Sequence, residues 1–94
     1  MTLNLHQIAE LTGSELHGNT LDFQGISIDT RTLKPGETFL CLKGEHLDGH
    51  DFIKQAEDAG ASSIVLSSKI KTKLPYILTE DTFVFLNRLA DFKR

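Results

Sequence analysis

Two short runs of consecutive apolar residues, Phe39-Leu40-Cys41-Leu42 and Ile64-Val65-Leu66, flank a segment with helical spacing, and this arrangement constrains the fold more than any other feature. A strand with one face in water alternates polar and apolar residues. An unbroken apolar run is instead the pattern of a strand covered on both faces. Between the runs, Phe52, Ile53, Ala56 and Ala59 form an apolar stripe on a predicted helix over about residues 49–59, with Gly60 as its stop. Strand, helix and strand in that order make a βαβ unit, with parallel pairing and a right-handed crossover. The predicted fold class is therefore α/β, a small layered domain with a mixed sheet containing a parallel βαβ unit.

The flanking segments fill in the rest. Leu5, Ile8, Ala9 and Thr12 share one helical face and Gly13 is a natural stop, which predicts a helix over residues 4–12. Leu16, Leu21 and Phe23 surround the turn-prone Gly18-Asn19, the pattern of an irregular hairpin leading into a strand over Ile26 to Asp29. Pro35-Gly36 fits the central positions of a type II turn, with the strands on either side as neighbours. Lys69 to Lys73 reads as an exposed basic connector, Tyr76 to Thr79 as a short strand, and Asp81-Thr82 as the cap of a final helix running towards Arg94. That helix carries Phe83, Val84, Phe85, Leu86, Leu89, Ala90 and Phe92, apolar groups on more than one face. Either some of these side chains simply sit exposed, or something else packs there because the chain is the first piece of a longer protein.

Composition narrows the function. Ninety-four residues suit one small domain. Ten Lys and Arg against thirteen Asp and Glu give a net charge of −3 with no basic stripe, which argues against nucleic acid as a partner. One cysteine excludes an internal disulfide, and no apolar leader or spanning segment is present, so the expectation is a cytoplasmic chain with no membrane partner.

The polar residues that invite a chemical reading lie between Ile26 and Gly60. Ser27-Ile28-Asp29-Thr30-Arg31 ends a strand with a carboxylate, a hydroxyl and a guanidinium in succession. Asp29 and Arg31 read first as an ion pair that shapes the segment, because charges near a core are seldom unpaired. Thr30 can offer its hydroxyl to a ligand or bond its own backbone. After Gly44 a loop feeds a predicted helix start at Asp48-Gly49, where Asp48 suits an N-cap and backbone amides favour anions. His46, Asp48, His50 and Asp51 also hold the inventory of a metal site, but the histidines straddle a loop and a glycine, so no metal is expected. Cys41, inside an apolar run, reads as a small buried hydrophobe.

The order Asp-Thr-Arg, Pro-Gly, Phe-Leu-x-Leu-Lys-Gly-Glu, Asp-Gly-His-Asp-Phe, Ala-x-x-x-Gly-Ala, then a strand and Asp-Thr before a helix, resembles the N-terminal domain of the Mur ligases across essentially the whole chain. The wording of Leu42-Lys43-Gly44-Glu45 and Gly49-His50-Asp51-Phe52 favours the branch that adds D-alanyl-D-alanine to UDP-N-acetylmuramoyl-tripeptide. The alternatives are the sibling branch that adds the third amino acid, or a stand-alone α/β interaction or metal-binding protein. The resemblance implies a three-domain cytoplasmic enzyme of peptidoglycan synthesis, and with it roles in cell shape and division. Residues 1–82 would be the domain that binds the UDP-muramoyl peptide, and residues 83–94 a helix leading to an ATP-binding domain beyond this chain. It further implies uridine-diphosphate contacts at Ile28, Thr30, Glu45, His46 and Leu47, with Ser27, Asp29, Arg31, Gly44, Asp48, Gly49 and His50 as scaffold. ATP and Mg2+ would be held by the central domain and the incoming dipeptide by the C-terminal one, the expected partners of this domain. No Gly-x-x-x-x-Gly-Lys-Ser/Thr phosphate loop occurs in the chain, so no catalytic residue and no cofactor are expected within it.

Overall fold

A computed structural model describes residues 3–93. Helix α1 (Leu5–Thr12) begins with a reciprocal cap: the Gln7 amide donates to the Asn4 side chain at 2.8 Å, and the Asn4 amide donates to the Gln7 side chain at 2.9 Å. It ends at Gly13, whose φ of 69° is the left-handed conformation that closes helices. Its buried residues are Leu5, Ile8, Ala9 and Thr12, the face that the spacing predicts.

Strands β1 (Glu15–His17), β2 (Ile26–Ser27), β3 (Thr38–Leu40), β4 (Ser63–Leu66) and β5 (Tyr76–Leu78) form one sheet in the order β1-β5-β4-β3-β2. The β2–β3, β3–β4 and β4–β5 pairs are parallel, and β1 joins β5 antiparallel. The chain is thus α/β with a mixed sheet, and β3, α2 (Ile53–Asp58) and β4 are the expected βαβ unit. The period of two along the strands sorts the core into two layers. Leu40, Val65 and Ile77 are register partners and pack with Leu5, Ile8, Phe85 and Leu89 of α1 and α3 (Thr82–Lys93). On the opposite face Phe39, Cys41, Ile64 and Leu66 pack with Ile53 and Ala56 of α2. Each such side chain contributes about 1.5–3 kcal/mol on burial. Where β3 and β4 begin, the Thr38 and Ser63 hydroxyls are buried and satisfy each other at 2.8 Å.

Four expectations change in detail. No hairpin forms at Gly18-Asn19: β1 pairs with β5, where His17 stacks on Tyr76 at 4.9 Å, and the chain then returns to the start of α1. There Leu5 donates to the Leu21 carbonyl at 2.9 Å and Phe23 to that of Leu3 at 2.7 Å. Burial of Leu16 and Phe23 against the α1 layer outweighs local turn preference. The first strand of the parallel series stops at Ser27, because the Ser27 hydroxyl donates to the Asp29 carbonyl and curls the chain out of the ladder. Phe39 to Leu42 is a strand only to Leu40, and the helix expected from residue 49 begins as a 3₁₀ turn, Gly49–Phe52, before α2. The Pro35-Gly36 turn forms, with Glu37 donating to the Lys34 carbonyl and Gly36 at φ 93°, yet the neighbouring strands β2 and β3 run parallel. In α3, Phe85 and Leu89 are buried, whereas Phe83, Val84 and Phe92 lie exposed.

Gly49 is required for space. A Cβ there would lie 2.8 Å from Cys41 Cα and 2.8 Å from the Leu42 nitrogen, both backbone atoms that cannot swing aside. At Gly44 the same atom would meet the Leu47 carbonyl oxygen at an ordinary 3.5 Å. Gly49→Ala is therefore expected to destabilise the domain by about 1–3 kcal/mol, and Gly44→Ala to change stability by no more than about 0.5 kcal/mol. Urea denaturation of both variants beside the parent chain measures the difference, and equal midpoints would contradict it.

Candidate functional site

Where the parallel strands end, the covering layers part and the chain becomes polar. In open α/β sheets this carboxyl edge is where ligands are accommodated. A cavity of about 480 Å³ lies there, lined by Ile28, Asp29, Thr30, Arg31, Phe39, Leu47 and Phe52. The segment after β2 brings the first apolar wall and most of the polar rim. Ile28 is 55% exposed and Leu47, on the loop after β3, is 69% exposed. Both are large aliphatic side chains beside one cavity, the kind of exposed apolar surface found in ligand-binding grooves.

The rim is rigid by local bonding. Asp29 accepts from the Arg31 amide at 2.9 Å, from Arg31 Nε at 3.1 Å and from an Arg31 terminal nitrogen at 2.8 Å. Hydrogen bonds from the Arg31 side chain and then its amide hold the Asp29 carboxyl below its ordinary 3.8, and the same pairing raises the Arg31 guanidinium. Ser27 and Thr32 hydroxyls both donate to the Asp29 carbonyl. Asp29 is thus committed to shaping the segment, while Thr30 lines the cavity and its hydroxyl has no hydrogen-bond partner among the described residues.

The opposite wall is a tight loop. Lys43 and Asp48 form an antiparallel bridge, Gly44 donates to the Leu47 carbonyl at 2.7 Å and Gly49 donates to the Leu42 carbonyl at 2.7 Å. Of the three loop residues expected at the ligand, Leu47 lines the cavity, whereas the side chains of Glu45 and His46 are each 92% exposed and line none of it. Phe39 and Phe52 also line it, and the sequence reading assigned both to packing alone. Nothing in the periodicity distinguishes them from core aromatics.

The expected anion-binding helix start is absent in this form. Asp48 accepts from the His50 amide at 3.0 Å, Gly49 is spent on Leu42, and the Asp51 amide donates to the Asp48 carbonyl at 3.0 Å. The cap occupies the amides that an anion would need. Asp48 is held below its ordinary 3.8 by that amide and then by the His50 ring. Nor do His46, Asp48, His50 and Asp51 converge: among the described residues no three His, Cys, Asp or Glu side chains are placed to hold a metal ion. Burial, with the Asp48 charge as a lesser cause, pushes the Cys41 thiol up to about 12, so it stays protonated inside the core.

Fold and cavity together define an α/β domain of the class whose open edge is the carboxyl end of a parallel sheet. The chain belongs to the Mur ligase family: the family model described as "Mur ligase family, catalytic domain" matches residues 22–91. The UDP-N-acetylmuramoyl-tripeptide–D-alanyl-D-alanine ligase of Escherichia coli (strain K12) is 34% identical over 94 residues, all of this chain and 21% of that protein. The UDP-N-acetylmuramoyl-L-alanyl-D-glutamate–2,6-diaminopimelate ligase of Bacillus cereus is 41% identical over 71 residues, 76% of this chain and 14% of that protein. A crystal structure of MurF from Acinetobacter baumannii superposes with a TM-score of 0.88 at 24% identity, over 98% of this chain and 21% of that one, a likeness of fold. MurF from Thermotoga maritima, solved with ADP, is 30% identical with a TM-score of 0.69 over 74% of this chain and 16% of that one. The chain thus spans about a fifth of the length of the D-alanyl-D-alanine ligase it matches.

The Asp29 and Asp48 carboxyls are both stabilised as anions by these hydrogen bonds, which are strongest to the ionised form. Because their folded values lie below 3.8, the order they confer is complete above the ordinary carboxylate range and is lost as pH falls through the depressed values. Carboxyl 13C titrations are expected to give midpoints below 3.8 for Asp29 and Asp48; a midpoint at or above it for either would show that its bonds do not persist in solution.

Proposed function

We propose that this chain holds the UDP end of a UDP-N-acetylmuramoyl peptide, as part of the ligase that adds D-alanyl-D-alanine to the muramoyl tripeptide. The observation that carries the reading is identity at 34% across the whole chain with a ligase named for that reaction. The match to the diaminopimelate-adding ligase is higher in identity but leaves about a quarter of this chain uncovered, which favours the first branch. Ile28, Thr30 and Leu47 are the proposed contacts, with Phe39 and Phe52 beneath them. A uracil ring needs apolar faces and hydrogen-bonding groups at its edge, and the cavity offers aliphatic walls with a hydroxyl and backbone groups at its rim. Glu45 and His46 are assigned to the loop's outer surface, available only to parts of a ligand that leave the cavity. Ser27, Asp29, Arg31, Gly44, Asp48, Gly49 and His50 hold these walls in place.

In this reading residues 1–82 are the binding domain and residues 83–94 the helix that leads into the rest of a cytoplasmic enzyme. ATP and Mg2+ belong to another domain, as does the dipeptide. The residues here do not fit them, since the chain has no phosphate loop and the amides at the Asp48-capped turn beside the cavity are already bonded. The exposed Phe83 and Val84 on α3 are consistent with contact to such a domain. Among the described residues no helix is long and apolar enough to cross a membrane.

A half-site of this size is expected to bind weakly, with a Kd of about 1 mM, or about −4 kcal/mol. Titrating UDP into 15N-labelled chain is expected to shift the amides of Ile28, Thr30 and Leu47 together. Thr30→Val keeps the shape and removes the hydroxyl, and is expected to weaken binding about fivefold or more, the worth of one hydrogen bond, without changing the melt. Shifts confined to the Lys69 to Lys73 connector would instead mean that the ligand meets surface charge and that the site is wrongly placed.

A further inference from the structure

His50 is buried, with 3% of its side chain exposed, and is one of the few polar side chains within the core. Its bonds are all internal and run across the fold. Nδ1 lies 2.6 Å from an Asp48 carboxylate oxygen. On the far side of the ring, Nε2 receives the amide of Ser67 at 3.0 Å and that of Ser68 at 3.3 Å, immediately beyond the end of β4. Two N–H donors aimed at Nε2 leave no room for a proton on it, so the proton resides on Nδ1 and is donated to Asp48. The ring is a neutral imidazole in a fixed tautomer.

We infer that His50 is a positioning residue for the cavity, tying the loop that carries Leu47 and the turn that carries Phe52 to the end of β4. The inference rests on the nucleotide reading of that cavity. Asp48 closes the 43–48 loop by its bridge to Lys43, and it is the residue that the ring grips. Leu47 precedes Asp48 directly, and Phe52 lies two residues beyond the ring. A displacement of His50 therefore moves the loop wall at Leu47 and the Phe52 side while leaving Ile28, Thr30 and the β2 wall untouched. A phenylalanine would fill the same space with no bond to either partner. A glutamine carries a carbonyl for the two amides and an NH2 for Asp48.

The test uses the 94-residue chain and UDP as the probe. Imidazole 15N resonances of His50 are expected to show the Nδ1–H tautomer; the Nε2–H form would overturn the assignment. In His50→Phe, amide exchange at Gly44 to Asp48 and at Ser67 and Ser68 is expected to quicken at least tenfold, with exchange in β3 and β4 unchanged. UDP affinity is expected to fall at least fivefold, with the lost shifts on Leu47 and the retained ones on Ile28. His50→Gln is expected to recover most of both. If His50→Phe only lowers the melting temperature, with loop exchange and affinity unchanged, the residue is packing and the inference fails. If it does not fold, Asp48→Ala decides, since it cuts the same link from the partly exposed side and must quicken exchange in the same loop. If the parent chain does not bind UDP, the nucleotide reading fails, while loop exchange without ligand still decides the role of His50.

Discussion

The burial of β3 and β4 on both faces governs the rest of the molecule. Helices α1 and α3 cover Leu40 and Val65 while α2 covers Cys41, Ile64 and Leu66 and most of Phe39, so within these strands only Phe39 reaches a cavity, at its edge. Polar chemistry is left to the strand ends. At the beginning of the strands it is a structural pair, Thr38 with Ser63, closed upon itself. At the other end it opens into Asp29-Thr30-Arg31 and the 43–48 loop, which border the cavity.

This division also decides what was legible in the sequence. Unbroken apolar runs around a helical stripe have few other solutions, so the βαβ unit and the class of the fold follow from residues 39 to 66 alone. The face of α1 follows as directly, since a capping residue, a 3.6-residue stripe and a terminal glycine agree. The Gly18-Asn19 segment misleads because its turn signal is local, whereas the pairing of β1 depends on β5, sixty residues away, which no nearby pattern announces. Strand ends were overrun for a related reason. The Ser27 hydroxyl donates to the Asp29 carbonyl and accepts from the Asp29 amide, and such side-chain competition with the ladder is invisible to a pattern of hydrophobicity.

The candidate site was half legible. Asp29, Thr30 and Arg31 stand out as polar residues at a strand end, and the structure separates their duties: two are locked together and one is left with an unengaged hydroxyl. The resemblance to the Mur ligases adds the loop, but three successive residues on a tight turn cannot face one way, and only Leu47 of the three reaches the cavity. Phe39 and Phe52 escape a reading from sequence because an aromatic residue lining a cavity and one buried in a core obey the same periodicity. His50 escapes it for the opposite reason, as its partners Ser67 and Ser68 lie seventeen and eighteen residues further on, where no motif marks them.

The two borders of the sheet are unequal to its centre in length. β2 pairs through only two residues before the Ser27 and Asp29 bonds curl it away, and β1 offers three. An unpaired border is a template on which another chain can add a strand, and its hazard grows with its length and flatness. The curl that presents Ile28 and Thr30 to the cavity therefore also cuts short the border that would otherwise run on through residue 29. One short segment, residues 27–30, both ends the border and forms the cavity wall, so a substitution that straightened it would extend an adhesive strand while it dismantled that wall.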